Sequence, residues 1–123
     1  MKELWKPFPG YEDLYRISNY GRVMSFAKGK PRILKPIAER RNGYNMVTLY
    51  RKFGEPGQKV RIGRAVALAF IPNPDNLPCV NHKDEIKTND RADNLEWCTK
   101  AYNTNYGTAR IRARETYLRN HSK

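Results

Sequence analysis

Long apolar runs are missing from this chain. Nothing among its 123 residues approaches the roughly 18 consecutive apolar positions that a membrane-spanning helix needs. The first ten residues carry charges and two prolines but no apolar stretch, so no signal peptide is expected and a cytoplasmic protein is. Cysteine is almost absent. Cys79 and Cys98 are the only two, and His82 and His121 are the only histidines. A structural zinc site takes four protein ligands, often in close pairs, and these residues stand at no such spacing. No structural zinc is expected, and the thiols are expected to be reduced and part of the packing. Negative charge is also scarce: 12 acidic residues face 24 basic ones, for a net charge of +12.

That imbalance points to a polyanion, because each phosphate neutralised by Lys or Arg releases condensed counterions. Solubility alone is the bland alternative, but it is usually met with less charge. The charge is also unevenly placed. Residues 1–60 hold 13 basic and 5 acidic groups, residues 61–99 hold 5 and 6, and residues 100–123 hold 6 and 1. A near-neutral middle between two basic arms suits a protein that grips phosphates at its ends and acts in between. With 39% apolar residues, the chain has material for one modest core.

Local signals predict an α+β protein. Tyr15 to Ser18 and Arg22 to Ser25 read as short strands joined by a turn at Asn19-Tyr20-Gly21. Trp5, Phe8 and Tyr11 are expected to cover that small sheet. Residues 26–40 read as basic and irregular. Asn42-Gly43 is a hairpin turn signal before the best strand, Tyr44 to Arg51. There Val47 and Leu49 share one face, and Tyr44, Met46, Thr48 and Tyr50 the other. Val60 to Ile62 reads as a returning strand. Arg64 to Ile71 reads as a helix with Val66, Ala69 and Phe70 on one face, ended by Pro72 and Pro74. A last basic helix is expected over Thr108 to Leu118, its stripe thin and its arginines numerous.

The stretch VNHKDEIKTNDRADNLEWCT (Val80 to Thr99) is dense in Asn, Asp and His. Alone, it would read as a loop built from side-chain-to-backbone hydrogen bonds. Its frame changes the reading. An apolar strand start at Cys79-Val80 leads in, a second strand with Leu95 and Trp97 leads out, and a helical segment with Asn103 follows.

Read as a unit, Val80 to Thr99 plus Asn103 resembles the HNH nuclease motif, a ββα-metal fold, with His82, Asn94 and Asn103 at its three named positions. RIGRAVALAFIPNP (Arg61 to Pro74) resembles the helix that precedes the motif in phage and intron-encoded homing endonucleases. Trp5 to Ser25 resembles the N-terminal module that accompanies such nucleases. The resemblance implies a β module over 1–60 that contacts DNA, a nuclease core over 61–107 and a basic helical tail over 108–123.

It also implies roles. His82 would be the general base that takes a proton from the attacking water, a task suited to imidazole. Asn94 would bond across the loop and hold the strands in register. Asn81 and Asn103 would offer amide oxygens to one divalent ion, Mg²⁺ or Mn²⁺, since Mg²⁺ accepts few protein ligands and completes its shell with water and phosphate. Lys83, Lys87, Arg91, Arg110, Arg112 and Arg114 are candidates for phosphate contact, as are Arg16, Arg22, Arg41 and Lys59. Each could equally be a solvated surface charge. The implied partner is double-stranded DNA, bound by a monomer that nicks or a homodimer that breaks both strands.

Three positions depart from the family pattern. Asn81 stands where many members have Asp, Glu85 where Gly often follows the turn Asp, and Gly63 where the upstream segment often has His. Asp84 and Asp93 read as turn and cap residues, and Trp97 as core. Two rivals remain: a non-cleaving DNA-binding protein on the same scaffold, and an RNA-binding protein with the same charge. The second gives no reason for the His82, Asn94 and Asn103 frame.

Overall fold

The computed structural model describes residues 1–107 with the exception of Phe53. The expected basic helix, with Arg110, Arg112 and Arg114, lies outside the described residues. The rest is α+β. Strands β1 (Trp5–Pro7), β2 (Tyr15–Ser18), β3 (Val23–Ser25) and β4 (Arg32–Ile33) form an antiparallel sheet in chain order. Strands β5 (Ile37–Ala38), β6 (Asn45–Leu49) and β7 (Gln58–Arg61) form a second one. Helix α1 (Ile62–Phe70) follows directly, then β8 (Cys79–His82), a 3-10 turn (Ala92–Asn94), β9 (Leu95–Cys98) and α2 (Lys100–Asn105). No described helix is long and apolar enough to cross a membrane.

The turn between β2 and β3 is built as its residues suggest. Gly21 takes φ +86°, a region closed to most side chains. The Ser18 hydroxyl accepts from the backbone N–H of Tyr20 and of Arg22, fixing the bend. Trp5 does not simply cover this sheet. It opens β1 and pairs with Ser18, because the chain before Phe8 is extended and finds an open strand edge. The segment read as irregular also contributes β4 and β5, two-residue ladders too short to leave an alternating pattern.

The strand expected through Ile62 stops at Arg61. Ile62 is fully buried and begins α1, so sheet and helix share a joint without a linker. Ile62, Ala65 and Val66 face the core at helical spacing, while Ala69 and Phe70 continue the stripe only to its half-buried rim. Lys6 lies over the Phe70 ring and donates to the Ala69 carbonyl, closing that end. One buried cluster joins Phe8, Tyr15, Ile17 and Val23 of the first sheet, Val47 and Leu49 of β6, the three α1 residues and Leu95 of β9. Trp97 is rim rather than core. Half-buried under Arg64, its indole N–H donates 3.0 Å to the Ile71 carbonyl, a partner a fully buried indole would have lacked in the apolar cluster.

Candidate active site

Strands β8 and β9 pair antiparallel with Asn81 opposite Glu96 and His82 opposite Leu95. Between them the chain makes a twelve-residue excursion, Lys83 to Asn94, with almost no apolar residues to bury. Hydrogen bonds hold it instead. The Asn94 carbonyl accepts from the Lys83 N–H at 2.8 Å, and its side-chain oxygen accepts from the Asp84 N–H at 3.0 Å. Its amide nitrogen donates to the Asp84 carboxylate and to the Asn89 carbonyl, each at 2.9 Å. Asp84 also accepts from the Ile86 N–H and from Asn89. These bonds, the one from Asn89 foremost, hold the Asp84 carboxyl below the usual carboxylate range. Asp84 is thus a turn residue, and Asn94 clasps the two ends of the excursion.

His82 is 8% exposed. Its Nε2 lies 2.8 Å from Oδ1 of Asp90, itself 5% exposed. The Tyr44 ring lies against the imidazole at 5.7 Å between centroids. Arg61 and Lys87 sit over Tyr44 at 4.4 Å and 5.1 Å. Arg61 is held there by a forked ion pair to Glu39, which keeps that carboxyl below its ordinary range.

Helix α2 packs on β8. It begins at Thr99, whose side chain accepts from the Tyr102 N–H as an N-cap. This places Asn103 in the wall of a cleft that Asn81 and His82 also line. Asn81 is buried, and its amide nitrogen donates to Glu96 across the ribbon at 3.3 Å. Since a carboxylate only accepts, Glu96 takes the N–H end of the amide and leaves the Asn81 oxygen to face another partner. Glu96 also bonds the Tyr102 phenol and pushes its pKa up to about 12. The hard oxygen donors of Asn81 and Asn103 fit a small divalent cation that keeps most of its own water. Among the described residues, no group of three or more His, Cys, Asp or Glu side chains could hold a metal ion.

The structure therefore brings His82, Asn81 and Asn103 to one cleft and places Asn94 behind it. The basic candidates differ. Lys83 is exposed. Lys87 borders the cleft and donates to the Asn42 carbonyl. Arg91 stacks on Tyr20 and lies 3.6 Å from Asp93. Arg22 is paired with Glu3. Arg110, Arg112 and Arg114 lie outside the described residues. Sequence reasoning missed Asp90 and Glu96. Counting the ladder outward from His82 and Leu95 would have put Glu96 opposite Asn81, whereas nothing local marks Asp90.

Two of the family departures acquire meaning. Glu85 adopts φ +64°, where glycine is at ease and other residues are not. A Cβ on Gly63 would come 2.7 Å from the Asp90 carboxylate and 3.3 Å from His82 Nε2, so only glycine leaves room for that pair.

Comparisons with known proteins agree with this geometry. Residues 3–50 match the NUMOD4 motif. An uncharacterized HNH endonuclease of Acanthamoeba polyphaga mimivirus is 39% identical over 89 residues, covering 72% of this chain and 26% of that protein. The DNA endonuclease I-HmuI of Bacillus phage SP01 is 35% identical over 99 residues, covering 80% of this chain and 54% of that one. The solved structure of DNA binding and cleavage by the HNH homing endonuclease I-HmuI superimposes with a TM-score of 0.73 at 31% identity, over 94% of this chain and 66% of that one. This chain thus spans about a quarter of the mimivirus relative and about half of the phage relative. On shared sequence, shared fold and the NUMOD4 match, the chain belongs to the HNH endonuclease family.

Proposed function

We propose that this chain hydrolyses phosphodiester bonds of double-stranded DNA as a metal-dependent endonuclease, with His82 as the general base. One observation carries the reading. A buried histidine, anchored through Nε2, lines the same cleft as two amide side chains. With Nε2 engaged, Nδ1 is the nitrogen left to take a proton from the attacking water. The Tyr44 face and the Asp90 bond keep the ring from turning, so the base is held ready before substrate arrives.

Asn81 and Asn103 would hold one Mg²⁺ or Mn²⁺. Bound there, such an ion supplies Lewis acidity for the charge that develops on the phosphate and the leaving 3′ oxygen. Asn94 acts on this site indirectly, by locking the excursion between β8 and β9. Lys83 and Lys87 at the cleft, Arg91 beside it, and the tail residues Arg110, Arg112 and Arg114 would contact phosphates and set the register of the duplex. One cleft of this kind cuts one strand, so a monomer nicks and a homodimer makes a double-strand break. I-HmuI, an HNH homing endonuclease described as binding and cleaving DNA, supports the choice of substrate.

The test is cleavage of supercoiled plasmid with Mg²⁺, Mn²⁺ or EDTA by the parent chain and by His82→Ala. The expected result is metal-dependent nicked or linear product from the parent, and none from a variant that still binds duplex. Salt-dependent duplex binding without cutting under any metal would overturn the nuclease reading in favour of a non-cleaving DNA-binding protein.

A further inference from the structure

We propose that Asp90 is the positioning residue of this site: its carboxylate fixes the His82 ring as the Nε2–H tautomer and so leaves the Nδ1 lone pair to accept a proton. The proposal rests on the reading of His82 as base and adds a residue that the motif does not name.

The pair is buried on both sides, with side-chain exposures of 9% for His82 and 4% for Asp90 at 2.8 Å. An ionised carboxylate has only lone pairs to offer, so the facing ring nitrogen carries the hydrogen. The opposite tautomer would set two lone pairs against each other at 2.8 Å between two largely buried side chains.

Two separate segments make room for Asp90. Gly63, the second residue of α1, leaves the space that Oδ1 occupies. Gly21, in the turn between β2 and β3, leaves the space beside the Asp90 backbone, where a Cβ would meet Asp90 Cβ at 2.9 Å and its carbonyl oxygen at 3.1 Å. Two residues from Gly21, the Asn19 carbonyl accepts from the Ala92 N–H at 2.8 Å and ties the excursion to the N-terminal sheet. The N-terminal end of α1 also favours a negative charge beside it.

Asp90 is a poor choice for stability alone. Its Oδ2 is buried and has no hydrogen-bond partner among the described residues. A buried acceptor left unsatisfied is costly, and an apolar side chain would fill the same pocket without that cost. What an apolar residue would not supply is an acceptor for Nε2–H.

The experiment combines ring-nitrogen NMR with cleavage kinetics. Histidine-labelled protein carrying His121→Ala shows His82 as its sole imidazole. The parent should give a protonated, pyrrole-like Nε2 and a lone-pair, pyridine-like Nδ1. Asp90→Asn is nearly isosteric, and nothing pins either end of the new amide toward the ring. Both tautomers should then be populated, and kcat should fall roughly tenfold with KM for DNA and the melting temperature unchanged. Asp90→Ala should lower kcat further, by about 100-fold.

An Asp90→Asn protein that keeps the parental ring shifts and the parental kcat would overturn the proposal, whether or not Asp90→Ala folds. A parent chain that cuts no DNA would instead sink the reading of His82 as base. The ring shifts of parent and Asp90→Asn would still decide whether Asp90 sets the tautomer.

Discussion

The N-terminal sheet and the β8–β9 ribbon are held by different forces. In the sheet, Phe8, Tyr15, Ile17 and Val23 are at most 3% exposed and run into a single apolar cluster with β6 and α1. Among the described residues, the ribbon and its excursion give that cluster one buried member, Leu95, with Val80 and Ala92 packed half-buried against it. The residues from Lys83 to Asn94 are fixed by a web of bonds centred on Asp84 and Asn94. One region buries apolar surface, which is strong and non-directional. The other relies on hydrogen bonds, which are individually worth little but set positions closely. The site lies in the second region and is braced by the first, through α1 and the turn at Asn19 and Gly21. Chemistry here is placed on a directional scaffold packed against an apolar neighbour.

The comparison breaks most visibly if the core is cut. Phe8→Ala removes a fully buried ring from the N-terminal sheet and should cost about 3–5 kcal/mol, read by urea unfolding. If the ribbon depends on that core, protection from hydrogen exchange should fall at β8 and β9 as well as in the sheet. Loss confined to residues 3–50 would mean that the two regions fold independently.

A smaller perturbation goes the other way. Asn94→Ala removes three side-chain bonds and should cost about 1–3 kcal/mol. Exchange should accelerate from Lys83 to Asn94 while the sheet keeps its protection. Acid should loosen the same excursion. The folded pKa of Asp84 is depressed, so its contribution is complete above the unfolded carboxylate value and disappears as pH falls through the folded one. Exchange measured from about pH 5 to about pH 2 should show this excursion opening before the sheet does.

The apolar region was the more legible of the two in the sequence. The alternation that put Val47 and Leu49 on one face is a local signal, and so is the turn ending in Gly21. The motif likewise marked His82, Asn94 and Asn103 by spacing. Asp90 and Glu96 were illegible because their partners are set by register and by tertiary closure. Glu96 meets Asn81 only once the ribbon is paired, and Asp90 reaches His82 only when the excursion folds back under Gly63.

Glu96 sharpens the comparison at the level of one bond. If it orients Asn81 toward a cation, Glu96→Ala should raise the Mg²⁺ concentration for half-maximal cleavage about tenfold. Stability should move much less, since the bond to Asn81 is long and only partly buried and the bond to the Tyr102 phenol involves an exposed side chain. A large loss of stability with no change in metal dependence would make Glu96 an ordinary ribbon contact.

The smallest expected effect concerns Glu85. Its φ of +64° puts a side chain where the backbone disfavours one, at a cost of roughly 1–2 kcal/mol. Glycine there would remove that strain but add unfolded-state entropy, worth about 0.5–1 kcal/mol in the opposite direction. It would also remove whatever the Glu85 carboxylate contributes beside Gly107, where a Cβ would come 2.6 Å from it. Glu85→Gly should therefore raise stability by about 0.5 kcal/mol, near the limit of what a melting curve resolves. A clear loss of stability would mean that the carboxylate's contacts outweigh the strain, and that the excursion uses side-chain bonding even at a position whose backbone asks for glycine. That outcome would extend the contrast between the two regions, because a residue unfavourable to the backbone would then be kept for its bonds alone.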